Sequence, residues 1–304
     1  MLPILFDVGG TPVPAYLVFN VLAYALGFWW LHRGARRVLA DSDSLAGLYI
    51  VLFGSGWFGA RLMHLVGGEG LTRPGELVEA FTSSMVGVAF LGGVLGGTAG
   101  AVTYMRWARL PVFKLLDVAA PGLMLGLASG RTGCLLAGCC HGRRVTADQW
   151  NPLLTLSGGE LVMLDERPFL AVVFRQGSHG SIFDVPVQPT QIIEVGAALC
   201  LAGLLGWMWH RARRFDGQVF AAMLLGYGCV RWINEGFRGD VVRGVAHELG
   251  GWSLSTGRIS SLVIGFAAVL LIAVRYRSGV APEPVSPPES IDEPVVLDTS
   301  GLDD

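Results

Sequence analysis

Seven apolar runs, each near the length needed to cross a bilayer, recur along this chain of 304 residues: 15–31, 44–66, 85–105, 115–138, 192–209, 219–236 and 259–274. A helix rises about 1.5 Å per residue and needs about 20 apolar residues to span roughly 30 Å of hydrocarbon, so the shorter runs draw on their flanks. Residues 1–14 hold no basic residue and no cleavage pattern follows the first run, which therefore reads as a span and not as a signal peptide. Charged residues make up 15% of the chain and apolar ones 52%, whereas ordinary soluble domains carry roughly a quarter charged residues. This balance excludes a soluble enzyme of this size, a disulfide scaffold, a collagen-like chain and a disordered body, and it argues against a nucleic-acid binder. The expected fold is all-α: a polytopic membrane protein of about seven transmembrane helices.

Orientation follows from where the bases lie. Arg33, Arg36 and Arg37 follow the first run, Arg106, Arg109 and Lys114 separate the third from the fourth, Arg211, Arg213 and Arg214 separate the fifth from the sixth, and Arg275 and Arg277 follow the seventh. Cytoplasmic connections keep Arg and Lys close to the membrane, so the alternation puts the N-terminus outside and the C-terminus in the cytoplasm. The connection over 139–188 is the one sizeable extramembrane piece, a small periplasm-facing head in which stretches such as 169–174 read as short strands. One membrane domain is expected over 1–278. Residues 279–304 hold seven acids, no base and five prolines, a composition that buries no core and reads as a disordered cytoplasmic tail.

Ionisable groups at membrane depth cost about 2.5 to 3.5 kcal/mol each on insertion scales and call for a partner or a wet cavity. Arg61, Arg131, Arg231 and Glu235 fall inside or at the rim of spans. Tyr227, Arg231, Glu235 and Arg238 are spaced so that a helix would carry them as one stripe within about 80° of arc. The Arg231 and Glu235 pair has the spacing of a simple ion pair, but a tyrosine and a second arginine on the stripe favour an anion site, since guanidinium makes forked contacts to phosphate oxygens. A second dense stretch runs from Gly130 to Arg143, where the fourth span meets the outer loop; its glycines would let backbone approach a ligand. The run Leu91 to Gly97 permits close helix approach or an unwound stretch. Cys134, Cys139, Cys140, Cys200 and Cys229 make an odd count. The first three, with His141, leave open packing, a disulfide, a ligand-shaping role and metal or thiol chemistry, while Cys200 and Cys229 read as packing residues.

Several motifs in order resemble the prolipoprotein diacylglyceryl transferase family of bacterial inner-membrane enzymes with seven spans. They are Asp117-x-x-Ala120-Pro121 leading to Gly130-Arg131-x-Gly133, the pair Gly142-Arg143, Pro189-Thr190-Gln191-x-x-Glu194, and Gly217-Gln218 followed by Tyr227-x3-Arg231-x3-Glu235-x2-Arg238-x-Asp240. Three positions depart from the family's Asn-Phe-x-Asn-Gly-Glu, where this chain has Cys134, Ala137 and Cys139. Leu91 stands where His or Tyr is common, Gln188 where His is common, and Gly257-Arg258 where Gly-Gln is usual. The first-span tyrosine of the family maps to Tyr16 or Tyr24.

The resemblance implies transfer of the diacylglyceryl group from phosphatidylglycerol to the lipobox cysteine thiol of a prolipoprotein, releasing glycerol phosphate and leaving a thioether. It implies Arg131, Arg231 and Glu235 as catalytic residues, with Glu235 orienting Arg231. Arg131, Gly142, Arg143, Gln191, Glu194, Tyr227, Arg231 and Arg238 would bind phosphatidylglycerol, and with Leu91 in place His141 or the substrate itself would deprotonate the thiol. No metal, cofactor or nucleic acid is expected in the reaction. Two rivals stand beside it: a divergent paralogue that binds lipid or metal through Cys134, Cys139, Cys140 and His141 without transferase activity, and a transporter with arginines lining an ion path.

Overall fold

The structure, a computed structural model, describes residues 3–39, 42–67, 90–145, 155–157, 160–162, 171–174, 186–238, 247–249 and 252–277. Its long helices fall on the seven apolar runs: α1 (Ala15–Ala35), α2 (Ser42–Gly67), α3 (Phe90–Trp107), α4 (Val112–Ala137), α5 (Thr190–Trp207, continued by a π turn over Met208–Ala212), α6 (Gln218–Glu235) and α7 (Thr256–Arg277). The start of the third run, 85–89, Asp240 and the tail 279–304 lie outside the described residues. Five helices, α1, α2, α4, α5 with its π turn and α7, are long and apolar enough to cross a membrane. At 18 residues each, α3 and α6 fall short of that measure. Glycines and Arg106 dilute α3, and Arg231, Asn234 and Glu235 dilute α6.

The basic connections share one end of the bundle. There Ala35 at the end of α1, Leu45 and Leu48 at the start of α2, Ala101 and Met105 late in α3, and Leu115 early in α4 form one apolar cluster. Arg275 joins this end by donating to Asp216 O at 3.1 Å and lying 4.5 Å over the Phe113 ring. Short strands connect or precede the helices at the opposite end. They are a hairpin of β1 (Ile4–Val8) and β2 (Thr11–Pro14), a sheet ordered β4-β3-β5-β6 from β3 (Thr155–Ser157), β4 (Glu160–Val162), β5 (Ala171–Val173) and β6 (Pro186–Val187), and a hairpin of β7 (His247–Leu249) and β8 (Trp252–Leu254). The strand expected near 169–174 is β5, which lies parallel to β3 and antiparallel to β6. Val172, Phe174 and Val187 form its core and rest on Ile192 of α5.

Helix α4 is the axis of the bundle, bordered by α1, α5 and α6. More than half of its apolar span is buried, against very little of α1, which lies at the rim of the bundle. Val118, Ala120 and Met124 of α4 pack with Ala202, Leu205, Trp209, Val219 and Met223. The glycine run of the third span is continuous helix, so it serves close approach and not unwinding. A Cβ on Gly59 would come 2.4 Å from Gly92 O and 2.9 Å from the Cα of Gly96, so the α2 and α3 backbones touch there.

Candidate active site

Helix α6 is held at both ends by side chains from elsewhere. At its start the buried Asp117 of α4 accepts the Gly217 amide at Oδ2 and the Phe220 amide at Oδ1, each at 2.8 Å. A carboxylate is well matched to these N–H groups, which have no partner within the helix and sit at its positive end. This contact explains why the motif at Asp117 and the pair Gly217-Gln218 occur together although a hundred residues separate them. Gln218 extends the anchor, accepting from Arg214 N at 2.6 Å and donating to Ala212 O at 3.2 Å.

The charged groups gather at the other end of α6. Arg131 of α4 pairs through Nε with Glu194 Oε2 of α5 at 3.1 Å, and Asn234 of α6 donates to the same oxygen at 3.0 Å. Three helices thus meet at one carboxylate, with Glu194 and Asn234 both buried. One turn away, Arg231 Nη2 lies 2.6 Å from Glu235 Oε2, whose other oxygen accepts from Ser255 at 3.0 Å. Glu235 backs onto the start of α7 so closely that a Cβ on Gly257 would lie 2.3 Å from its carboxyl carbon. Glu235 is thus paired with Arg231, and Gly257, at the start of the last span, leaves space for that carboxylate. Tyr227 is in electrostatic reach of Glu194, Arg231, Arg131 and Arg238. Three guanidinium groups are thus in electrostatic reach of one phenol. Among the described residues, Arg231 Nη1, Glu194 Oε1 and Asn234 Oδ1 are buried with no hydrogen-bond partner. Such atoms are costly unless something else satisfies them.

One expectation needs correcting. Arg238 does not continue the α6 stripe: the helix closes at Glu235 with Gly236 as its cap, and tight turns carry the chain on to Arg238. Arg238 instead forms a β-bridge with Gly142. That bridge makes Gly142 and Arg143 structural neighbours of α6. The Gly142 amide donates to Gln188 O and the Arg143 amide to Phe237 O, both at 2.9 Å. A Cβ on Gly142 would meet both of those oxygens at 2.7 Å. The exposed Arg143 side chain reaches the Gly236 carbonyl, where a cation suits the negative end of the helix. Gln191 donates to Cys139 O at 2.7 Å and Thr190 to Cys140 O at 2.9 Å, so these residues hold the loop after α4 against the start of α5.

Of the two first-helix tyrosines, Tyr16 lies beside Gly133 and within electrostatic reach of the thiols of Cys134, Cys139 and Cys140. Tyr24 is 66% exposed on the helix surface. His141 has its Nδ1 3.0 Å from Gly142 O and its ring tilted against Phe174. Arg61 is buried on α2 and sits 5.9 Å over the Trp57 ring. Beside the polar end of α6, an apolar groove of about 550 Å³ runs between α6 and α7, lined by Leu225, Gly228, Trp232, Ile233, Gly265 and Phe266.

The comparisons with known proteins agree with this architecture. Residues 3–274 match the family described as prolipoprotein diacylglyceryl transferase. The chain belongs to that family. A phosphatidylglycerol--prolipoprotein diacylglyceryl transferase of Dehalococcoides mccartyi is 29% identical over 285 residues, covering 90% of this chain and 94% of the relative. One from Pectobacterium carotovorum subsp. carotovorum is 27% identical over 282 residues, covering 90% and 93%. One from Clostridium tetani is 26% identical over 241 residues, covering 79% and 86%. Membership and the membrane-length helices make the chain a multi-pass transferase of the bacterial inner membrane, with lipoprotein biosynthesis as its setting. Neither the non-transferase paralogue nor the transporter is favoured by these matches.

Sequence reasoning missed Asn234, Ser255 and the anchoring role of Asp117. Asn234 left a signal, being a polar residue at the polar end of an apolar run. The partners of the other two lie far along the chain and leave none in local spacing.

Proposed function

We propose that this chain transfers the diacylglyceryl group of phosphatidylglycerol to the lipobox cysteine of a prolipoprotein, with the lipid phosphate held between Arg131 and Arg231. The observation that carries the reading is Arg231 Nη1, buried with no hydrogen-bond partner, while Arg231 and Arg131, from two helices, are both in electrostatic reach of Tyr227. A phosphodiester monoanion supplies what such a buried donor lacks. The thiolate sulfur attacks the glycerol carbon of the diacylglyceryl group, a C–S bond forms, the C–O bond to phosphate breaks, and glycerol phosphate departs carrying the electron pair. Charge grows on the leaving phosphate, so fixed donors aimed at it stabilise the transition state more than the ground state.

Each remaining residue has a part in this scheme. Glu194 and Asn234 hold Arg131, Glu235 and Ser255 hold Arg231, and Tyr227 offers its hydroxyl between them. Arg143, Gly142 and Gln191 position the loop and the end of α6, and Arg238 lies beside that loop near the lipid headgroup. The apolar groove between α6 and α7 suits an acyl chain. The N-terminus faces the periplasm and the basic end of the bundle faces the cytoplasm, where the segregation of Arg and Lys supports all seven helices as crossings.

The test is complementation. In cells depleted of their own transferase, the chain should restore a mass increment of one diacylglyceryl group on a reporter lipoprotein. An unmodified reporter, with the chain present in the membrane, overturns the reading.

A further inference from the structure

The loop after α4 builds a feature that the transfer reaction does not use. The helix closes with Gly138 at φ 75°, with Cys139 N bonded to Cys134 O at 3.1 Å and Gly138 N to Leu135 O at 3.3 Å. This is a Schellman closure, which brings the side chain two residues past the cap against one in the last turn. Here that pair is Cys139 and Cys134. The next residue, Cys140, takes φ 60°, a left-handed backbone that a side-chain-bearing residue adopts only when its surroundings hold it there. Hydrogen bonds from Gln191 and Thr190 to the carbonyls of Cys139 and Cys140 do the holding. As a result the three Sγ atoms lie within 4.8 Å of one another.

We propose that Cys134, Cys139 and Cys140 form a three-thiolate site for a thiophilic metal ion of the Zn(II) or Cu(I) class. Soft thiolates select these ions, and sulfurs bound about 2.3 Å from one centre stand roughly 4 Å apart, as these nearly do. A disulfide joins two sulfurs and leaves the third, with its held backbone, unexplained. The vicinal pair is also a poor disulfide, because bonded cysteines favour Cα separations of roughly 4.4 to 6.8 Å, wider than adjacent residues provide. Loading exchanges three thiol protons for the ion. With a divalent ion the product carries one net negative charge, and Arg131, in electrostatic reach of Cys134 and Cys140, offsets it. The site ties the end of α4 to the start of α5.

The full chain, purified in detergent under reductant and then exchanged into anaerobic buffer, is offered Zn(II) alone or Cu(I) alone and desalted. One equivalent of either ion should remain, and three of the five thiols should resist alkylation. Co(II) in place of zinc should give thiolate charge-transfer absorption. Cys139→Ser and Cys140→Ser should each weaken retention at least about tenfold, since even outer partners of a ligand cost that much, while Cys200→Ser and Cys229→Ser should retain the ion. A thermal melt verifies that each variant is folded. Equal alkylation of all five thiols with and without metal overturns the site, as does unchanged retention in a folded Cys139→Ser variant. A protein two mass units lighter, holding a Cys134 to Cys139 disulfide that persists when metal is offered under reductant, overturns it as well.

Discussion

The α2–α3 pair and the α4–α5–α6 seam solve the same packing problem in different ways. Between α2 and α3 the backbones themselves touch at Gly59, Gly92 and Gly96. In the seam, Arg131, Glu194 and Asn234 join three helices through one buried carboxylate, and Arg231 and Glu235 lie a turn away. Helices in lipid gain little from hydrophobic burial against one another, so close packing and polar contacts supply the association. The buried atoms without partners named above lie in the seam. Of these atoms Arg231 Nη1 is the donor that the lipid phosphate of the proposed function would meet, while the Glu194 and Asn234 oxygens are acceptors and call for a donor.

This contrast can be broken by substitution. Arg231→Ala should lower lipid modification by at least about a hundredfold, read as the diacylglyceryl mass increment on a reporter, and Arg231→Lys should fail too because a point charge does not reproduce the fork. Full activity in either variant would remove the seam from the chemistry. Glu194→Gln leaves the partly buried Arg131 without its counter-charge and should destabilise the fold by up to about 3 kcal/mol, seen as a lower Tm in detergent together with lost activity. Gly59→Val forces the α2 and α3 backbones apart and should cost about 1 to 3 kcal/mol, with the KM for phosphatidylglycerol unchanged in the folded fraction. A changed KM at unchanged Tm would show that the glycine pair belongs to the site. Asp117→Ala removes the anchor of α6 and should cost about 1 to 2 kcal/mol, the upper range for a lost helix cap, with activity falling in proportion to the Tm shift. Deleting 279–304 should leave activity near normal, and a large loss would assign the acidic tail a part in the reaction.

The helices were legible because lipid imposes a length and a polarity that a sequence cannot hide; the seven runs and the basic connections carry both. The Arg231 and Glu235 pair was legible from helical spacing, because both partners lie on one helix four residues apart. Arg131 and Glu194 stand on different helices, and only the resemblance to a family linked them. Arg238 was misplaced because periodicity does not register where a helix stops, and Gly236 stops this one. The meeting of Cys134, Cys139 and Cys140 was hidden for a related reason. It depends on two departures from helical backbone, at Gly138 and Cys140, that spacing alone does not express.

Asp117 and Arg131 lie on the same helix, and both of their partners tie down α6: one caps its first turn, the other shares a carboxylate with its last. Helix α4 is thus a gauge against which α6 is measured twice, about 21 Å apart at the rise of an α-helix. A single residue inserted between the two marks would turn one of them about 100° from its target, so the register of these two rods is specified without any covalent link between them.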